Sequence, residues 1–97
     1  MVTELTHWID GKHVKGTSGR FADVMNPATG EVQAKAPLAT AEEIDAAVQS
    51  AKAAQPAWAA VNPQRRARVL MKFVELLHRD MDKLAEALSR EHGKTIP

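Results

Sequence analysis

Polar and small apolar positions alternate over residues 31–36: Val32, Ala34 and Ala36 face one way, Glu31, Gln33 and Lys35 the other. That two-residue period is the mark of a half-buried strand. Upstream, His7-Trp8-Ile9 and Lys12-His13-Val14 flank Asp10-Gly11. Both turn positions of a two-residue type I′ hairpin need positive φ, which Asp-Gly supplies. Lys15 to Arg20 reads as a connector, and Phe21 to Met25 as a further strand. It runs into Asn26-Pro27-Ala28-Thr29-Gly30-Glu31-Val32. Pro27 presets φ for a tight turn, Asn26 bonds its own backbone ahead, and Gly30 supplies the left-handed residue of a bulged hairpin.

Beyond Pro37 the period changes to that of helices. Thr40-Ala41-Glu42-Glu43 is a capping box, followed by the stripe Ile44, Ala47, Val48 and Ala51. Pro56 is expected to interrupt this helix, with Trp58 packing where the chain turns. Asn62-Pro63 restarts a helix as cap and first-position proline. Ala67, Leu70, Met71, Val74 and Leu77 form its stripe, and Val69, Phe73 and Leu76 widen it past half the circumference. A helix this apolar expects cover on more than one side. Asp80 is the expected N-cap of a third helix, with Met81, Leu84, Ala85 and Leu88 inward, Glu86 and Arg90 paired, and Gly93 ending it.

The expected organisation is therefore two hairpins over 1–38 and three helices over 40–93. Two hairpins are marginal in water without something to pack on. Pro97, which would ordinarily open a further element, and the over-wide second helix both read as an amino-terminal piece of a larger core.

Composition narrows the functional classes. Ninety-seven residues with a net charge of +1 provide no general field for nucleic acid or an anionic membrane. No apolar run reaches membrane-spanning length, and Met1-Val2-Thr3-Glu4-Leu5 has no signal-peptide character, which reads as cytoplasmic. With no cysteine, these residues hold no disulfide, cysteine zinc site or thiol nucleophile.

Three clusters invite chemistry. Arg65, Arg66, Arg68, Lys72 and Arg79 make the second helix basic, but no aromatic stacking residues interleave and net charge is near zero, so it reads as a solvated face with buried aliphatic stems. His92-Gly93-Lys94-Thr95 lacks the upstream glycine of a phosphate loop and follows a helix, so it reads as a glycine cap with Lys94 near the negative helix end. His7 and His13 stand on paired strands without a carboxylate, a poor metal pair. Glu43 and Glu91 read as a cap and a helix-end charge. From the residues alone no catalytic, cofactor-binding or metal-binding residue is assigned, and a small stand-alone binding or structural module stays open.

The chain resembles the amino-terminal part of the aldehyde dehydrogenase superfamily over nearly its whole length. The resemblance is carried by W-I-D-G-K-H-V at Trp8 to Val14, by N-P-A-T-G-E-V at Asn26 to Val32, and by the helix pair closing in E-H-G-K at Glu91 to Lys94. Many members carry proline after that Gly-Lys. Here Thr95 follows, and E-H-G-K-T is similar to the coenzyme A-acylating methylmalonate-semialdehyde dehydrogenase branch, as are P-L-A-T at Pro37 to Thr40 and R-R-A-R-V-L at Arg65 to Leu70. The resemblance implies an α/β fold in which these hairpins and helices pack on an NAD-binding domain. The catalytic and oligomerisation domains would lie outside the chain.

It also implies chemistry. A cysteine thiolate attacks the aldehyde, hydride passes to NAD, and coenzyme A takes the acyl group with loss of carbon dioxide, giving propionyl-CoA or acetyl-CoA. The implied partners are the remainder of the parent chain and further copies in a dimer or tetramer, with neither nucleic acid nor membrane. None of the catalytic residues maps onto this sequence. Some members hold a monovalent cation with a carboxylate at the position of Glu91 and carbonyls near Val24; an exposed Glu91 is the simpler reading.

Overall fold

The computed structural model describes residues 1–96, so the reading of Pro97 lies outside it. Turn chemistry sets the first half of the chain. Strands β2 (His7–Ile9) and β3 (Lys12–Val14) pair antiparallel, His7 opposite Val14 and Trp8 opposite His13, across Asp10 (φ 53°) and Gly11 (φ 71°). Strands β4 (Phe21–Met25) and β5 (Val32–Pro37) pair across the Asn-Pro turn. There Asn26 Oδ1 accepts from the Ala28 amide at 2.9 Å, and the Gly30 amide donates to the Asn26 carbonyl at 2.7 Å. Gly30 has φ 75°, the left-handed conformation that brings the chain back into β5.

Two features of this sheet depart from simple alternation. Val24 pairs with Ala34 while Met25 pairs with Val32, so Gln33 is the extra residue of a bulge. Strand β1 (Thr3–Glu4) was not foreseen. It runs parallel to β5, Thr3 opposite Ala34 and Glu4 opposite Lys35, and makes β5 the central strand in the order β1-β5-β4. A two-residue strand is too short to carry a period, and only its pairing defines it.

The helices follow their caps. Helix α1 (Ala41–Ala59) opens on the complete capping box: the Glu43 amide donates to Thr40 Oγ1, and the Thr40 amide to Glu43 Oε1, each at 3.0 Å. Helix α2 (Pro63–Arg79) opens on Asn62, whose Oδ1 accepts from the Gln64 amide at 2.8 Å. Helix α3 (Met81–His92) ends at Gly93, φ 86°.

Three expectations need correction. Pro56 does not interrupt α1, which continues to Ala59. The missing N–H costs one bond in the last turn, and the Pro56 carbonyl still accepts from Ala60 at 3.1 Å. Trp58, expected to pack at that turn, is 44% exposed. Asp80 stands at the N-cap of α3, as expected, but its side chain makes no capping bond. Arg79 takes the carboxylate instead, through Nε at 3.1 Å and Nη2 at 2.8 Å, a fork of charged bonds that outcompetes a neutral cap.

Two hairpins and three helices are thus present, with β1 added. They enclose almost no core: among the described residues only Ala34 is a buried apolar side chain. Leu70, Phe73 and Val74 are 59%, 55% and 47% exposed, as the over-wide stripe predicted, while Leu76 and Leu77 are half-buried. The chain is a slab 48 × 40 × 16 Å, with a radius of gyration of 17.2 Å. A folded domain of this length has a radius near 13 Å. The exposed surface of 8086 Å² exceeds the roughly 5,500 Å² expected for a folded 10.6 kDa monomer.

Candidate functional site

The carboxylates and carbonyls that the fold gathers lie at two joints. The first is where α3 ends against the β4–β5 hairpin. The bulge at Gln33 turns its amide toward α3, where Nε2 donates to the Arg90 carbonyl at 2.9 Å and, more weakly, to the Met25 carbonyl at 3.4 Å. At the same end Gly93 passes close to the turn: a Cβ there would stand 3.2 Å from Pro27 Cγ. Beside this joint is a cavity of about 410 Å³, lined by Met1, Thr3, Leu5, Val24, Gln33, Ala34, Ala87, Arg90 and Glu91. The structure therefore brings Val24 and Glu91, the two positions paired by the family resemblance, to one cavity.

Among its lining residues there is a single carboxylate, on the exposed Glu91, and the Arg90 carbonyl is already engaged by Gln33. Oxygen donors suit hard cations. One exposed carboxylate is not a closed cage, and among the described residues no group of three acidic, histidine or cysteine side chains gathers. No role is therefore derived through a cation.

The second joint is at the start of α1. Glu43 Oε1 accepts from the Thr40 amide and also from Thr17, through its amide at 3.4 Å and its hydroxyl at 3.2 Å. These donors, the Thr40 amide foremost, hold the carboxyl below its usual range. The other oxygen, Oε2, faces His7 Nε2 at 3.5 Å. Both atoms are shut off from solvent and lack a hydrogen-bond partner among the described residues.

The sequence candidates separate accordingly. His7 and His13 occupy successive register positions and so opposite faces of their hairpin. His13 Nδ1 bonds Thr6 Oγ1 at 2.8 Å, and its ring meets Trp8 edge-on at 4.7 Å. On the basic helix, Lys72 pairs with Glu75 at 3.0 Å and Arg79 with Asp80, whose carboxyl is lowered by that guanidinium. Arg65 and Arg68 are exposed. That is a largely solvated, partly paired face, with Arg66 half-buried. His92 to Thr95 forms a helix end: the Gly93 amide donates to the Ser89 carbonyl at 2.8 Å, and Ser89 Oγ donates to the Lys94 carbonyl. Missing from the sequence reading are the Gln33–Arg90 tie and the Thr17 and His7 contacts of Glu43, which join residues far apart in the chain.

Residues 13–97 match the aldehyde dehydrogenase family model. The chain belongs to that family. Over 95% of its length it superposes, with a TM-score of 0.91 and 65% identity, on a protein of Sinorhizobium meliloti 1021 described as a methylmalonate-semialdehyde dehydrogenase and solved with NAD. It is 46% identical over 96 residues to the acylating mitochondrial methylmalonate-semialdehyde dehydrogenase of Arabidopsis thaliana, and 48% identical over 90 to malonate-semialdehyde dehydrogenase 3 of Geobacillus kaustophilus. It covers 99% and 93% of itself in those two matches but spans only 16–19% of the length of these three relatives. The α/β segment thus has the fold of the corresponding part of an aldehyde dehydrogenase.

Proposed function

We propose that residues 1–97 are the amino-terminal part of the NAD-binding domain of a coenzyme A-acylating (methyl)malonate-semialdehyde dehydrogenase. The enzyme would oxidise and decarboxylate its semialdehyde to propionyl-CoA or acetyl-CoA. The observation that carries this reading is the 65% identity, over 95% of the chain, to the Sinorhizobium meliloti protein solved with NAD. The acylating description of the Arabidopsis relative supports coenzyme A as co-substrate.

When bound, NAD supplies the hydride acceptor. The part of this chain is scaffolding. It contributes no thiol, and its His92-Gly93-Lys94-Thr95 string caps a helix instead of cradling phosphate. Catalytic, cofactor-binding and metal-binding residues are accordingly assigned to none of these 97 positions, and the segment alone is inactive in this reading. Its exposed α2 face fits a role as one half of a packed interface whose partner is the rest of the parent chain, in a homo-oligomer without nucleic acid. No helix among the described residues is long and apolar enough to cross a membrane. A cytoplasmic location belongs to the same proposal; the relatives include both bacterial and mitochondrial proteins.

The test is NADH formation by the intact enzyme with malonate and methylmalonate semialdehydes, with and without coenzyme A. Acyl-CoA as the product, at a rate that depends on coenzyme A, is expected. Release of the free acid at the same rate without coenzyme A would place the enzyme among the hydrolytic aldehyde dehydrogenases instead.

A further inference from the structure

We draw no further inference here: the strongest candidate, the cavity of about 410 Å³ where the end of α3 meets the β4–β5 hairpin, belongs to the site already described.

Discussion

The side-chain amide of Gln33 donates to the main-chain carbonyl of Arg90 at 2.9 Å, a bond between positions 57 apart in the chain. It exists because a bulge places Gln33 out of the ladder and α3 leaves its last carbonyls without helical partners. One side chain thus ties the β4–β5 hairpin to the end of the helical region. Gln33→Leu is expected to destabilise the intact enzyme by roughly 0.5–1.5 kcal/mol, the net worth of one such bond. Chemical denaturation measures it, and a variant as stable as the parent would show that the tie carries no load.

The two left-handed glycines at this joint separate two costs. At Gly30, φ is 75° and a Cβ would meet nothing within 4 Å, so substitution tests backbone strain alone. Gly30→Val is expected to cost on the order of 1–3 kcal/mol, and Gly30→Asn distinctly less because asparagine tolerates that region. Equal melting of the valine variant and the parent would refute the bulged turn.

At Gly93, φ is 86° and the added Cβ would also press on Pro27 at 3.2 and 3.3 Å. Gly93→Ala is therefore expected to lower the melting temperature more than Gly30→Ala. The reverse order would mean that the helix end does not sit on the Pro27 turn.

Glu43 sets a pH dependence of definite sign. Its folded carboxyl titrates below the ordinary 4.5, held down chiefly by the Thr40 amide. A carboxyl depressed in the folded state stabilises it above the unfolded pKa, and that contribution fades as pH falls through the depressed value. The stability gap between the parent and Glu43→Gln is thus expected to be constant near neutrality and to shrink below about pH 4.5. Melting curves across that range measure it; a gap that widens in acid would contradict the assigned contacts.

Residues 1–97 expressed alone are expected to be unstable or to self-associate. Each large side chain left in water forgoes roughly 1.5–3 kcal/mol. Leu70, Phe73 and Val74 all stand in solvent, so together they forgo an amount comparable with a domain's whole net stability of about 5–15 kcal/mol. Light scattering and thermal melting decide it. A monomer with a sharp cooperative transition would instead favour the small stand-alone domain.

Local chemistry made the elements themselves legible. Asp10-Gly11, Asn26 to Gly30, the Thr40–Glu43 box, Asn62-Pro63 and Gly93 each act within a few residues, so the chain alone specifies those turns and helix ends. The family was legible for a related reason, since its signature strings are the turns and caps themselves. Asp80 and Pro56 misled because a neighbouring guanidinium and the tolerance of a last helical turn override a local preference.

The tertiary structure alone decided what joins what. The parallel pairing of Thr3–Glu4 with β5, the bulge that aims Gln33 at Arg90, and the convergence of His7, Thr17 and Thr40 on Glu43 bring together residues from separate elements. A hydrogen bond across tens of residues leaves no period in a sequence, because its geometry exists only once the backbone between its ends has folded.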